Sequence, residues 1–163
     1  MAVVAPISKK GNKHEASNYR PVSLTSVPCK VLESIIRDAV VTHLEQQNFY
    51  ADCQHEFMKG RSTLTNLLVT LECWTSILEE GFGLDVIYLD YKKAFDTVPH
   101  QKLLQKLRRL QLGDALTKWI EQFLLGRMMR VHVNGSFSSW FDVISGVPQG
   151  SVLGPLLFFD ICE

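Results

Sequence analysis

Apolar residues recur at three- and four-residue intervals through Val31, Leu32, Ile35, Ile36, Ala39, Val40 and Leu44. That spacing gathers side chains on one face of an α-helix. A second helix is predicted from Leu64, Leu67, Leu68, Leu71 and Leu78, ending at Gly81, a residue that readily takes the left-handed backbone of a helix stop. Leu103, Leu104, Leu107 and Leu110 mark a third, closing near Gly113, and Leu116, Trp119, Ile120, Phe123 and Leu124 a fourth, closing at Gly126. Between the second and third the period changes. Asp85 to Tyr91 (DVIYLDY) is short and rich in Val, Ile and Tyr, which predicts a buried strand. Residues 128–134 and 139–144 alternate on either side of Gly135 and predict a β-hairpin. Ahead of residue 28, Pro6, Gly11 and Pro21 exclude long helices and leave strands and turns. A last helix is expected after Gly150, with Gly-Ser serving its amino end. Helices interspersed with strands, one pair of them antiparallel, favour an α+β architecture over a doubly wound parallel sheet.

With 163 residues and 46% hydrophobic content, the chain can build one domain, or a large piece of one. The longest apolar run, Val152 to Phe159, is too short to span a bilayer, and the first residues lack a secretory pattern. An intracellular protein of nucleus or cytoplasm, without membrane contact, is expected. Cys29, Cys53, Cys73 and Cys162 form no C-x-x-C pair, so reduced thiols are expected rather than zinc or disulfides. Net charge is zero but unevenly spread. Residues 1–32 hold five Lys/Arg against one acid, and residues 92–130 hold nine against three. Such segments can touch phosphates if they share a groove; as single patches they read as solvated faces.

Two segments carry candidate chemistry. In Tyr88-Leu89-Asp90-Tyr91-Lys92-Lys93-Ala94-Phe95-Asp96-Thr97-Val98-Pro99, Asp90 closes an apolar stretch. A carboxylate there can hold Mg²⁺ through one oxygen, or simply cap a turn. In Ser145-Gly146-Val147-Pro148-Gln149-Gly150-Ser151-Val152-Leu153-Gly154-Pro155, glycines flank Pro-Gln before a helix. Such a turn lets a ligand approach backbone N–H groups, or is a plain structural turn.

Together and in this order the segments resemble the reverse transcriptases of LINE-type (non-LTR) retrotransposons, close to the jockey and chicken-repeat groups. Asn18-Tyr19-Arg20-Pro21-Val22-Ser23-Leu24, the Gln54–Thr63 block and Val131-His132-Val133-Asn134-Gly135 extend the match over nearly the whole chain. The resemblance implies the fingers (about residues 1–84) and partial palm (about 85–163) of a right-hand polymerase. It implies copying of an RNA template by adding deoxynucleoside triphosphates to a DNA primer 3′-OH, with two Mg²⁺ ions, Mn²⁺ being an alternative. Asp90 corresponds to the first metal-binding carboxylate, and the backbone carbonyl of Tyr91 to a second contact of the nucleotide's metal. Phe95 corresponds to the ring that excludes a 2′-OH. Arg20 corresponds to a triphosphate clamp, and Gln149 with Gly150 to residues beside the sugar and base. Lys59 and Arg61 correspond to a template-facing segment. Lys93 and Asp96 read as a local structural pair.

The family continues into an aromatic-Ala-Asp-Asp hairpin that completes the metal site, whereas this chain reaches Glu163 without one. Tyr50-Ala51-Asp52-Cys53 mimics that string but precedes Asp90, so Asp52 is read as a loop residue. The expectations are a truncated domain with no significant polymerase activity of its own, an open edge on the Asp85–Tyr91 strand, and lost packing for Val152–Phe159. Glu56 and Met58 stand where the family usually has Gly and Arg, and Asp160–Glu163 departs from its usual continuation. Glu56 is therefore expected to strain a left-handed position. Two other readings stand beside the enzyme: a non-catalytic nucleic-acid-binding remnant, and a structural module.

Overall fold

The computed structural model describes residues 1–56 and 58–162, with side chains described as far as Phe158 in the last helix. The Asp160–Glu163 departure and the Cys162 thiol lie outside the described side chains. In chain order the regular elements are β1 (Ala2–Ser8), β2 (Tyr19–Ser23), α1 (Val27–Gln46), α2 (Thr63–Glu79), α3 (His100–Arg109), α4 (Asp114–Leu124), β3 (Met128–Val133), β4 (Ser136–Phe137), β5 (Phe141–Asp142) and α5 (Leu153–Cys162). They fall into two compact units: Met1–His43 with Lys93–Glu163, and Leu44–Lys92.

The first unit holds a mixed sheet in the order β2-β1-β3-β4, with β5 also pairing β3. β1 runs antiparallel to β2 and parallel to β3. Pro6 and Pro21 stand directly opposite one another in the β1–β2 pair. The bonds from Lys9 N–H to the Asn18 carbonyl and from Leu24 N–H to the Val3 carbonyl, both 2.8 Å, mark the bonded positions of this ladder. The prolines fall between them, where neither residue donates across the pair, so neither missing N–H breaks the ladder. The hairpin predicted around Gly135 forms through Asn134 (φ 48°) and Gly135 (φ 79°), the two left-handed residues of a tight strand-reversing turn. Its return is broken into β4 and β5, because Ser138 bonds Val131 through both its N–H and its hydroxyl.

α3 packs against α4 and α5. Leu103, Leu104 and Leu107 of α3, Ile120 and Leu124 of α4, and Leu153, Leu156 and Leu157 of α5 are buried. Each such side chain contributes roughly 2 kcal/mol of transfer free energy. The leucine face of α3 gives Leu153, Leu156 and Leu157 of α5 a packing surface.

The second unit contains α2, whose start is fixed by a reciprocal cap. Ser62 Oγ accepts the Thr65 N–H at 3.2 Å, and Thr65 Oγ1 accepts the Ser62 N–H at 2.8 Å. The helix predicted from leucine spacing is present, but Leu64, Leu67, Leu68, Leu71 and Leu78 are exposed. Asp85–Tyr91 corrects the sequence reading: it is not a buried strand. Ile87, Tyr88 and Leu89 are 83%, 82% and 85% exposed. Val, Ile and Tyr favour a pleated surface only where a neighbouring strand supplies the ladder, and among the described residues none pairs here. Glu56 is a second correction. It is not among the described residues with positive φ, and its carboxylate accepts from Thr63 Oγ1 at 3.4 Å. Asp52 is an exposed loop residue, as read. No helix among the described residues is long and apolar enough to cross a membrane.

Candidate functional site

The two segments singled out by their chemistry, 88–99 and 145–155, meet within the first unit through Phe95–His100 and Ser145–Gly150. A short 3₁₀ turn, Ala94–Asp96, follows Lys93, which takes a left-handed conformation (φ 56°). The carbonyl of Lys93 accepts the N–H groups of Asp96 and Thr97, at 2.9 and 3.2 Å. No Lys93–Asp96 ion pair is present among the described residues, so the local pair expected from sequence is a backbone one.

Backbone and side chains then zip the turn to the Gly-Pro-Gln loop. Gly146 N–H donates to the Val98 carbonyl at 2.8 Å and Val147 N–H to the Phe95 carbonyl at 2.9 Å. Ser145 Oγ donates to the Asp96 carbonyl at 3.1 Å. His100, buried on α3, donates through Nε2 to the Gly146 carbonyl at 2.8 Å. Gly146 is required here: its φ is +85°, and an added Cβ would stand 2.8 Å from the Asp96 carbonyl oxygen.

The far end of the loop is fastened to β2. Ser23 N–H, directed away from β1, donates to the Gln149 carbonyl at 2.8 Å. Gly150 (φ +94°) lies so close that a Cβ would approach the Ser23 carbonyl oxygen to 3.0 Å. Ser151 then serves the amino end of α5 as anticipated, its Oγ accepting the Gly154 N–H at 2.8 Å. Sequence reasoning missed Glu33. This fully buried carboxylate of α1 accepts the N–H groups of Val152 and Leu153, at 2.7 and 3.1 Å. It sits where the α5 dipole favours negative charge. A buried Glu three residues after Lys30 in a helical pattern leaves no mark in one sequence.

Gln149 and Phe95 are the sequence-predicted site residues brought together with Gly150. Gln149 Nε2 donates to Asp96 Oδ1 at 2.6 Å. Phe95 stacks on Phe158 of α5, ring centroids 4.7 Å apart. Beside Gln149 opens a cavity of about 220 Å³, walled among others by Pro21, Ser23, Asp96, Arg127, Ile144 and Gln149. Burial pulls the Arg127 guanidinium below its usual pKa, and the Glu33 charge opposes that shift. Its Nη1 is buried with no partner among the described residues.

The other candidates make none of these contacts. Arg20 is exposed on β2, and strand alternation puts it on the opposite face from Pro21 and Ser23. Asp90 and Tyr91 are exposed in the second unit, as is Lys59. Arg61, in the same unit, donates to the carbonyls of Asp52 and Gln54 and so holds its own loop. Among the described residues no three His, Cys, Asp or Glu side chains converge.

A model of the family described as "Reverse transcriptase (RNA-dependent DNA polymerase)" matches residues 7–161. The chain is 31% identical over 159 residues to the "Probable RNA-directed DNA polymerase from transposon X-element" of Drosophila melanogaster, covering 97% of this chain and 17% of that protein. It is 34% identical over 158 residues to the "RNA-directed DNA polymerase from mobile element jockey" of Drosophila funebris, covering 96% and 17%. To the "Retrovirus-related Pol polyprotein from type-1 retrotransposable element R2" of Popillia japonica it is 29% identical over 153 residues, covering 93% and 21%. The chain thus spans about a fifth or less of the length of these relatives.

Proposed function

Because the chain belongs to the reverse transcriptase (RNA-dependent DNA polymerase) family, we propose that it is the part of a non-LTR retrotransposon polymerase that seats the incoming deoxynucleoside triphosphate. The observation that carries this reading is the docking of Phe95–His100 onto Ser145–Gly150 at the end of β2, which gathers Phe95, Gln149 and Gly150 around one turn. Stacking on Phe158 fixes the Phe95 ring, as a steric selector against a 2′-OH requires. Arg20 clamps the triphosphate, and Lys59 and Arg61 face the template. Asp90 and the Tyr91 carbonyl receive a divalent ion, Mg²⁺ or Mn²⁺, arriving with the nucleotide. Its donors here are too few for any catalytic step to be derived through it. The partners are an RNA template and a DNA primer, held by fingers (about 1–84) and partial palm (about 85–163).

Primer extension on an RNA template with Mg²⁺ tests this: the chain on its own is expected to add no significant nucleotide. Template-dependent incorporation that disappears in Asp90→Ala overturns that expectation, and incorporation that survives Asp90→Ala overturns the role of Asp90. A second reading is a nucleic-acid-binding module without incorporation, with no three metal-ligating side chains converging among the described residues. Its signature is primer–template affinity that falls with salt while no nucleotide is added.

A further inference from the structure

A Gln side chain can turn either its amide nitrogen or its carbonyl oxygen toward a ligand, and the two present opposite chemistry. Gln149 has no such freedom. Asp96 Oδ1 lies 2.6 Å from Nε2. An ionised carboxylate only accepts, so the amide must turn its nitrogen to Asp96, spend one of its two hydrogens there, and hold Oε1 on the other side. Gln149 Oε1 has no protein partner among the described residues. Asp96 is itself immobilised: its N–H is bound by Lys93, its carbonyl by Ser145 Oγ, and Gly146 packs against its backbone.

We infer that Asp96 is a positioning residue that locks the Gln149 amide with Oε1 turned away from Asp96, so that a ligand approaching on that side meets an acceptor. This rests on the reading of the Gln149 turn as a nucleotide seat, and it divides the nucleotide by chemistry. A carbonyl oxygen attracts a hydroxyl or amine of the sugar or base and repels the anionic oxygens of the triphosphate. Gln149 Oε1 therefore reads the nucleoside and contributes nothing to holding phosphate. Without Asp96, the amide is free to turn its nitrogen outward.

The test compares Mg²⁺-dATP with Mg²⁺-tripolyphosphate binding to the 163-residue chain, alongside NMR of the Gln149 side-chain amide. Asp96→Ala is expected to move the Gln149 Nε2 proton resonances, weaken dATP about tenfold, the loss of roughly one charge-assisted hydrogen bond, and leave tripolyphosphate unchanged. In a Gln149→Ala background Asp96→Ala should add nothing, because one residue acts through the other. Asp96→Asn keeps an acceptor and should restore dATP binding to within about threefold. Unmoved Gln149 resonances overturn the inference, as do additive losses or equal losses for dATP and tripolyphosphate. Coupled resonances in a chain that binds dATP no better than tripolyphosphate instead sink the nucleotide seat, and the positioning role with it.

Discussion

Glu33 accepts the backbone N–H of Val152 at 2.7 Å across 119 positions of sequence. A side chain of α1 thus does for α5 what Ser62, the residue just ahead of the helix, does for α2. Leu153 N–H shares the same oxygen, so removing the carboxylate leaves two N–H groups without their acceptor in a buried place. Glu33→Ala should lower stability by about 2–3 kcal/mol, and Glu33→Gln, which keeps an acceptor, by about half as much. Urea midpoints at constant slope measure both; equal losses would show that the charge itself, not the acceptor, matters.

Gly146 and Gly126 both have positive φ, +85° and +63°, but differ in their surroundings. A Cβ on Gly146 meets backbone at 2.8 Å, and one on Gly126 meets nothing. Gly126→Ala should cost about 1 kcal/mol of backbone strain. Gly146→Ala should exceed 2 kcal/mol, since the Asp96 backbone must also move. Thermal midpoints of the two variants decide it.

Leu104 and Leu68 look alike in sequence, each in a leucine-patterned helix. Leu104 is 1% exposed and Leu68 57%. Leu104→Ala should destabilise by about 2–5 kcal/mol and Leu68→Ala by no more than about 0.5. Chemical denaturation would reverse this picture only if the face of α2 were covered in solution.

Burial raises the pKa of the Cys29 thiol above its usual value, and the hydrogen bond to Glu33 and the Glu33 charge raise it further. The folded state therefore binds this proton more tightly than the unfolded chain. The associated stability is complete below the unfolded thiol pKa and is lost as pH rises through the folded value. Stability should fall more steeply above about pH 8.5 in the wild type than in Cys29→Ser. Iodoacetamide should label Cys29 more slowly than the exposed Cys53 and Cys73, read residue by residue by mass spectrometry. Faster labelling at Cys29 would contradict the shift.

Periodicity located the helices because each carries its own 3.6-residue signal, and Asn-Gly announced the hairpin turn at 134–135 through local backbone needs. Asp85–Tyr91 was misread because a strand is a property of a pair, and composition reports only one member. The Gly146–Gly150 loop was legible as a tight turn. Its fastening to Ser23, His100 and Asp96 was not, since those bonds join residues 46 to 126 positions apart. Glu33 was invisible for the same reason: its partners are backbone groups of a distant helix, which carry no residue identity.

The opposed prolines of the first hairpin fix more than a pair of ring contacts. Slipping β2 by one residue would turn that strand over and swap its inward and outward N–H groups. Pro21 would then occupy a position that must donate across the ladder, and it has nothing to give. Pro6 imposes the same condition from the other side. The two residues act as a key that admits one alignment, and that alignment directs the Ser23 N–H outward to the Gln149 carbonyl.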